Sequence, residues 1–150
     1  RIFSFVINNC NGEVTKTENI STSDKKFIND AESLTKNLRN EMDELNLNNY
    51  IKAAINISFL ANKYINDEEP WKYKKSNLEK MNNILHLSLD QIAKISILLN
   101  PIIPNASTKV LDALNVKKDL RNLSFLDGKK IFENRIKINK LDILFKKISQ

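Results

Sequence analysis

Residues 76–101 read SNLEKMNNILHLSLDQIAKISILLNP, and this stretch decides the fold. Leu78, Met81, Leu85, Ile92, Ile95 and Leu99 recur at steps of three, four and seven. Ile84, Leu87 and Leu98 widen the stripe. That spacing places the apolar side chains on one helical face. Ser76 or Asn77 begins this helix, with Glu79 and Lys80 in its first turns, and Asn100-Pro101 stops it, because proline has no N–H for the helical ladder.

Working outward, Phe27, Ala31, Leu34, Leu38, Met42 and Leu45 follow the same rhythm across Asp24 to Asn46. The pattern predicts one helix there, capped by one of Ser21, Thr22, Ser23 and Asp24. From Asn49 to Asp67 apolar residues occupy more than one face: Tyr50, Ile51, Ala54, Ile55, Ile57, Phe59, Leu60, Ala61, Tyr64 and Ile65. A helix apolar nearly all round is expected to be the central, buried one. Pro70 ends it near Glu69. Residues 1–9 read as the last turns of a helix stopped by Asn11-Gly12, and residues 13–23 as a polar linker. A shorter helix is expected from about Ala106 to Leu114, with Val110, Leu111 and Leu114 facing in. Phe125-Leu126-Asp127-Gly128 reads as a turn, and the segment 136–148 as strand, helix or docked tail. The expected fold class is all-α, a bundle of about five helices with little or no sheet. Residues 1–116 would form its core, and residues 117–150 a basic segment docked on it.

Composition narrows the function classes. The 150 residues include 2 Gly, 3 Pro, 1 Cys and 1 His. Two glycines cannot furnish the clustered glycines of a nucleotide-binding α/β unit or the corners of a turn-rich β-barrel. One cysteine excludes an intrachain disulfide and a cysteine-based zinc site. No stretch of 18 apolar residues occurs, so no membrane partner is expected. The first residue is Arg and nothing after it resembles a signal peptide; we expect a piece of a longer cytoplasmic protein. Of the net charge of +6, residues 1–116 contribute nothing, with 14 basic and 14 acidic residues. Residues 117–150 hold 10 basic and 4 acidic residues and carry the whole excess. Such a segment suits a polyanion, as it also suits a solvated surface in a lysine-rich chain.

Few side chains offer chemistry. Asp67-Glu68-Glu69 has no histidine partner and reads as a solvated helix end, not as a metal or acid–base site. His86 follows core-directed Leu85 and reads as a structural histidine. Cys10 reads as an ordinary small apolar residue. Trp71, the only tryptophan, follows Pro70 at a helix end beside Lys72, Lys74 and Lys75. Trp71 has two readings: an anchor packed on the core, or a platform on which an unpaired base stacks with lysines near its phosphates.

Two stretches add a resemblance. Residues 61–72, ANKYINDEEPWK, resemble the Asn-x-Tyr-Ile…Pro-Trp signature of the methionyl-tRNA synthetase family, in its C-terminal helical anticodon-binding domain. Residues 98–107, LLNPIIPNAS, resemble the family's next helix junction, with Ile102-Ile103 where the family has Phe-Met. RIFSF at residues 1–5 is similar to the end of the family's Asn-Leu-x-x-Arg helix, and IFENRI at 131–136 to its closing Leu-Phe-Pro-Arg-Ile. The resemblance implies the helical domain that class I synthetases share. It implies a tRNA partner, both initiator and elongator methionine tRNA, and a catalytic domain in the same chain. It also implies recognition of the CAU anticodon by Arg1 and Trp71, with the Trp71 ring on the first anticodon base. Pro70 would rigidify the approach to Trp71, and Asn8 would add a contact. ATP and Mg2+ would serve the parent enzyme in its catalytic half, whose His-Ile-Gly-His and Lys-Met-Ser-Lys-Ser motifs do not occur in this sequence. The residues present therefore carry no catalytic role, no metal and no cofactor, and the 150 residues alone should be inactive. Two alternatives stand beside this reading: the same domain from a leucine, isoleucine, valine or cysteine enzyme, or a helical protein–protein module whose basic tail docks on an acidic partner.

Overall fold

The computed structural model describes residues 1–145. Among them six α-helices follow one another: α1 (Ile2–Asn9), α2 (Thr22–Thr35), α3 (Leu38–Asp43), α4 (Leu47–Glu68), α5 (Leu78–Leu99) and α6 (Pro104–Ala113). Two short strands, β1 (Glu13–Thr15) and β2 (Arg135–Lys137), and three 3-10 turns complete the chain. The all-α bundle expected from the periodicity is the fold. The final residues of the 136–148 and 117–150 segments lie outside the described residues.

Local chemistry explains the ends. Ser21 caps α2 in a reciprocal box: its Oγ accepts from the Asp24 N–H at 3.1 Å, and the Asp24 carboxylate accepts from the Ser21 N–H at 2.8 Å. Asn77 caps α5 by accepting from the Lys80 N–H at 2.9 Å. Asn11 and Gly12 both take positive φ, 52° and 74°, which turns the chain out of α1. The Gly12 carbonyl then accepts from the Ile138 N–H at 2.7 Å, tying this turn to the far end of the sequence.

Several expectations are corrected. The single helix expected over 24–46 is two, because the chain turns at Lys36 and Asn37. Packing changes along this stretch: Phe27 lies in the main core, Leu34 at the end of α2 packs against a second cluster, and Leu38 joins Tyr50, Ala54, Ile57 and Leu98 within that second cluster. Leu45, expected on the core stripe, is 81% exposed, since its left-handed backbone (φ 58°) reverses the chain between α3 and α4. Leu78 is also exposed, lying at the first residue of α5 before its stripe enters the core. Residues 13–23 are not a mere linker. β1 pairs antiparallel with β2, Val14 opposite Ile136, and both side chains are buried.

The central helix is α5, not α4. Helix α4 leaves Phe59 67% exposed and Ile55 half-exposed; its core face is Tyr50, Ala54, Ile57, Ala61, Tyr64 and Ile65. Helix α5 packs against α4 and α6, and also meets α1, β1 and β2. It can be central despite its polar residues because Asn83, Ser88, Ser96 and one nitrogen of His86 are bonded, although His86 Nδ1 and Gln91 Nε2 are buried without a partner among the described residues. Asn83 accepts from the Thr17 N–H at 2.8 Å and donates to the Asn19 carbonyl at 3.0 Å. His86 Nε2 meets the Glu133 carbonyl at 2.9 Å. Ser88 and Ser96 donate one turn back to the carbonyls of Ile84 and Ile92. The Tyr50 hydroxyl donates at 2.8 Å to the Leu98 carbonyl, one of the four that a helix end leaves without a helical partner. Ile131, Ile136 and Ile138, from the basic C-terminal segment, are buried in the same main core as residues from α1, α4, α5 and α6. Burying them against the helices is favourable at about 25 cal/mol per Å2 of apolar area.

Candidate nucleic-acid interface

The end of α4 is built to stop and to turn. Glu69 adopts the left-handed conformation (φ 44°, ψ 62°), and Pro70 starts the 3-10 turn Pro70–Tyr73. Proline's fixed φ suits the first residue of such a turn, where its missing N–H costs nothing. Tyr64, one turn earlier, anchors this end of α4. Its ring stacks on Phe27 with centroids 4.1 Å apart, and its hydroxyl donates to Asp24 Oδ1 at 2.6 Å. Burial, with the Asp24 contact adding to it, pushes the Tyr64 phenol well above its ordinary value, so it stays a donor. On the other side Lys80 donates to the Tyr73 hydroxyl at 2.9 Å and lies 3.2 Å from the Glu68 carboxylate. Contact with Tyr73, reinforced by Glu68, raises the Lys80 pKa against the opposing effect of burial.

This frame presents Trp71 with 36% of its surface exposed. Arg1, seventy positions earlier, lies over it, with its Cζ 5.1 Å from the ring centroid. That is within the range of a cation–π contact. The Arg1 guanidinium also donates to Asn66 Oδ1 at 2.7 Å, which fixes it at the end of α4. At the other end of α1, Lys74 donates to Asn9 Oδ1 at 2.7 Å. The turn therefore runs alongside α1, with the arginine and the indole together.

The structure brings together Arg1 and Trp71 and treats the other two site candidates differently. Pro70 is buried, so it cannot touch a ligand; it sets the direction in which Trp71 leaves α4. Asn8 is exposed, about 10 Å along the helix from Arg1, and takes no part in the Arg1–Trp71 contact. Sequence reasoning missed Asn66 and Asn9, which hold the two cations. The available signal was an asparagine in the last turn of α4, directly before three carboxylates.

Other groups set aside on sequence grounds behave as structural residues. Burial raises the Cys10 thiol above its ordinary value, an effect Lys74 partly offsets, so the reactive thiolate is disfavoured. His86 is buried, which lowers its pKa, with the Glu133 carbonyl bond opposing. Among the described residues no three His, Cys, Asp or Glu side chains gather as a metal site, and no helix is long and apolar enough to cross a membrane.

Comparison with known proteins agrees with the fold and with the motifs. A family model described as the anticodon binding domain of methionyl tRNA ligase matches residues 14–150. The methionine–tRNA ligase of Methanobrevibacter smithii is 31% identical over 149 residues, covering 99% of this chain and 22% of that protein. That of Brucella suis biovar 1 is 28% identical over 124 residues, 83% of this chain and 24% of that protein. The apo form of Mycobacterium tuberculosis methionyl-tRNA synthetase superposes with a TM-score of 0.88 at 20% identity, covering 100% of this chain and 31% of its own. The chain thus spans about a quarter of the length of the curated relatives it matches.

Proposed function

Because the chain belongs to the family of anticodon-binding domains of methionyl-tRNA ligase, we propose that it binds methionine tRNA, initiator and elongator, through the CAU anticodon at the Arg1–Trp71 pair. The observation that carries the reading is the Arg1 guanidinium lying over a partly exposed indole whose neighbours Lys74 and Lys75 are exposed cations. A stacking platform must offer ring surface to solvent, and this indole does. An incoming base takes up the ring, while Arg1, tethered to Asn66, turns its remaining N–H donors to the base edge or to a phosphate. Pro70 and the Tyr64–Asp24 bond keep the platform in place, which limits the entropy lost on binding. The basic residues of 117–150 add attraction to the polyanion without anticodon choice.

In this reading the domain works by binding alone. It holds the anticodon while a catalytic domain elsewhere in the same chain, in the cytoplasm, uses ATP and Mg2+ to load methionine. The residues here do not fit those cofactors, since neither a glycine-rich phosphate loop nor a cluster of metal ligands is found among the described residues. The test is a titration of the chain with methionine tRNA and with a tRNA of another anticodon, at one salt concentration. Preferential binding of methionine tRNA supports the proposal. Equal, purely salt-dependent binding of both overturns it in favour of a charged docking module.

A further inference from the structure

The four consecutive residues Asn66, Asp67, Glu68 and Glu69 each hold one cation, and they do so in two different ways. Asp67 pairs with Lys63 at 2.6 Å, Glu68 with Lys80 at 3.2 Å, and Glu69 with Lys72. In those pairs a carboxylate cancels the lysine charge at short range. Asn66 instead holds Arg1 through a neutral amide oxygen at 2.7 Å. Lys74 is treated likewise, by Asn9 Oδ1 at 2.7 Å, while the Asn9 amide nitrogen donates to the Phe5 carbonyl at 2.9 Å and so fixes the acceptor. An amide oxygen orients a cation as a carboxylate does, but leaves its full positive charge available. A guanidinium has five N–H donors, and the bond to Asn66 occupies one nitrogen.

We infer that Asn66 and Asn9 are positioning residues that present Arg1 and Lys74, oriented but not neutralised, to the sugar–phosphate chain of the RNA bound at Trp71. The inference rests on the anticodon reading for the identity of that RNA. Beyond it, the pattern assigns an electrostatic division of labour around the indole. Lys63, Lys72 and Lys80 lock the end of α4 and the turn after it, and Arg1 and Lys74 keep their charge for the ligand.

The experiment is a tRNA titration across a range of monovalent salt, on the full chain, with Asn66→Asp, Asn66→Ala and Asn66→Gln. Asn66 is exposed, so none of these substitutions disturbs the core. Asn66→Asp keeps an acceptor but neutralises Arg1. It is expected to lower affinity about fivefold at ~0.1 M salt and to flatten the slope of log K against log salt by about 0.7, the contribution of one phosphate contact on a single strand. Asn66→Ala frees the guanidinium without cancelling it, so affinity falls while the slope is kept. Asn66→Gln, which restores a neutral acceptor, recovers affinity relative to Asn66→Ala. Asn56→Asp places the same charge ten residues earlier on the exposed surface of α4, about 15 Å along the helix from Asn66, and is the control. If Asn66→Asp leaves affinity and slope unchanged while Trp71→Ala weakens binding, the inference fails and the anticodon reading stands. If Asn56→Asp flattens the slope equally, diffuse charge acts instead of pairing with Arg1, and the inference also fails. If neither Asn66→Asp nor Trp71→Ala changes binding, both readings fall together.

Discussion

Replacing Trp71 separates its two parts, platform and anchor. Base stacking on an aromatic ring is worth about 1–3 kcal/mol, a factor of roughly 5–150 in dissociation constant. The Arg1 contact at 5.1 Å adds about 0.5–1 kcal/mol at an exposed site, which holds the guanidinium in register. Against this, 36% exposure means that most of the ring is covered by protein. With about 200 Å2 for a fully buried aromatic ring, the covered part is on the order of 130 Å2, or about 3 kcal/mol of stability at 25 cal/mol per Å2. Trp71→Ala therefore weakens both binding and folding, and Trp71→Phe keeps much of the covered contact while shrinking the π surface. The expected order of tRNA affinity is Trp, then Phe, then Ala, measured well below the melting temperature of the Ala variant. Because Trp71 is the only tryptophan, its fluorescence reports on the site directly, and methionine tRNA should quench it. A folded Trp71→Ala chain that binds methionine tRNA within about twofold of the unsubstituted chain, with no quenching of the native fluorescence, would refute the platform and leave Trp71 an anchor.

Three further outcomes are expected. Tyr64→Phe keeps the stack on Phe27 but leaves the buried Asp24 carboxylate without its 2.6 Å donor, at a cost of about 1.5–3 kcal/mol. At about 2–4 °C per kcal/mol, calorimetry should show a melting point lower by roughly 3–12 °C. Gly12→Ala forces a side chain onto φ +74° with its Cβ 3.1 Å from the Ile138 carbonyl oxygen, whereas Gly128→Ala meets nothing within 4 Å; urea denaturation should find Gly12→Ala the more destabilising. His86 is held neutral by burial, its folded pKa below the ordinary 6.5. The unfolded chain then takes up a proton before the folded one, so stability is full above about pH 6.5 and falls as pH drops toward the folded pKa, by at most about 1.4 kcal/mol per pH unit. Urea denaturation at several pH values should show that decline, and His86→Gln should remove it.

Periodicity, caps and stops are short-range properties, and they were legible in the sequence. The helical stripe of residues 78–99, its start after Ser76 or Asn77, the turn at Asn11-Gly12 and the end of α4 before Pro70 each follow from side chains within a few residues of one another. The Pro-Trp pair was likewise visible as a site candidate, since an aromatic ring beside lysines at a helix end is a local pattern. What the sequence could not reveal depends on partners distant along the chain. Apolar residues of α4 spread over more than one face, which marks it as the buried helix, yet α5 is central, and Thr17, Asn19 and Glu133 bond its Asn83 and His86 from segments up to 66 residues away. The break between α2 and α3 has no glycine or proline to announce it, and on its two sides Phe27 and Leu38 pack in separate clusters. The strand pair joins residues 13–15 to 135–137, too short at either end to stand out until the other is beside it. The site is the extreme case. Arg1, Asn66 and Trp71 meet only when α1 is laid along the turn after α4, and whether a cation there is neutralised by a carboxylate or only oriented by an amide is fixed by that contact.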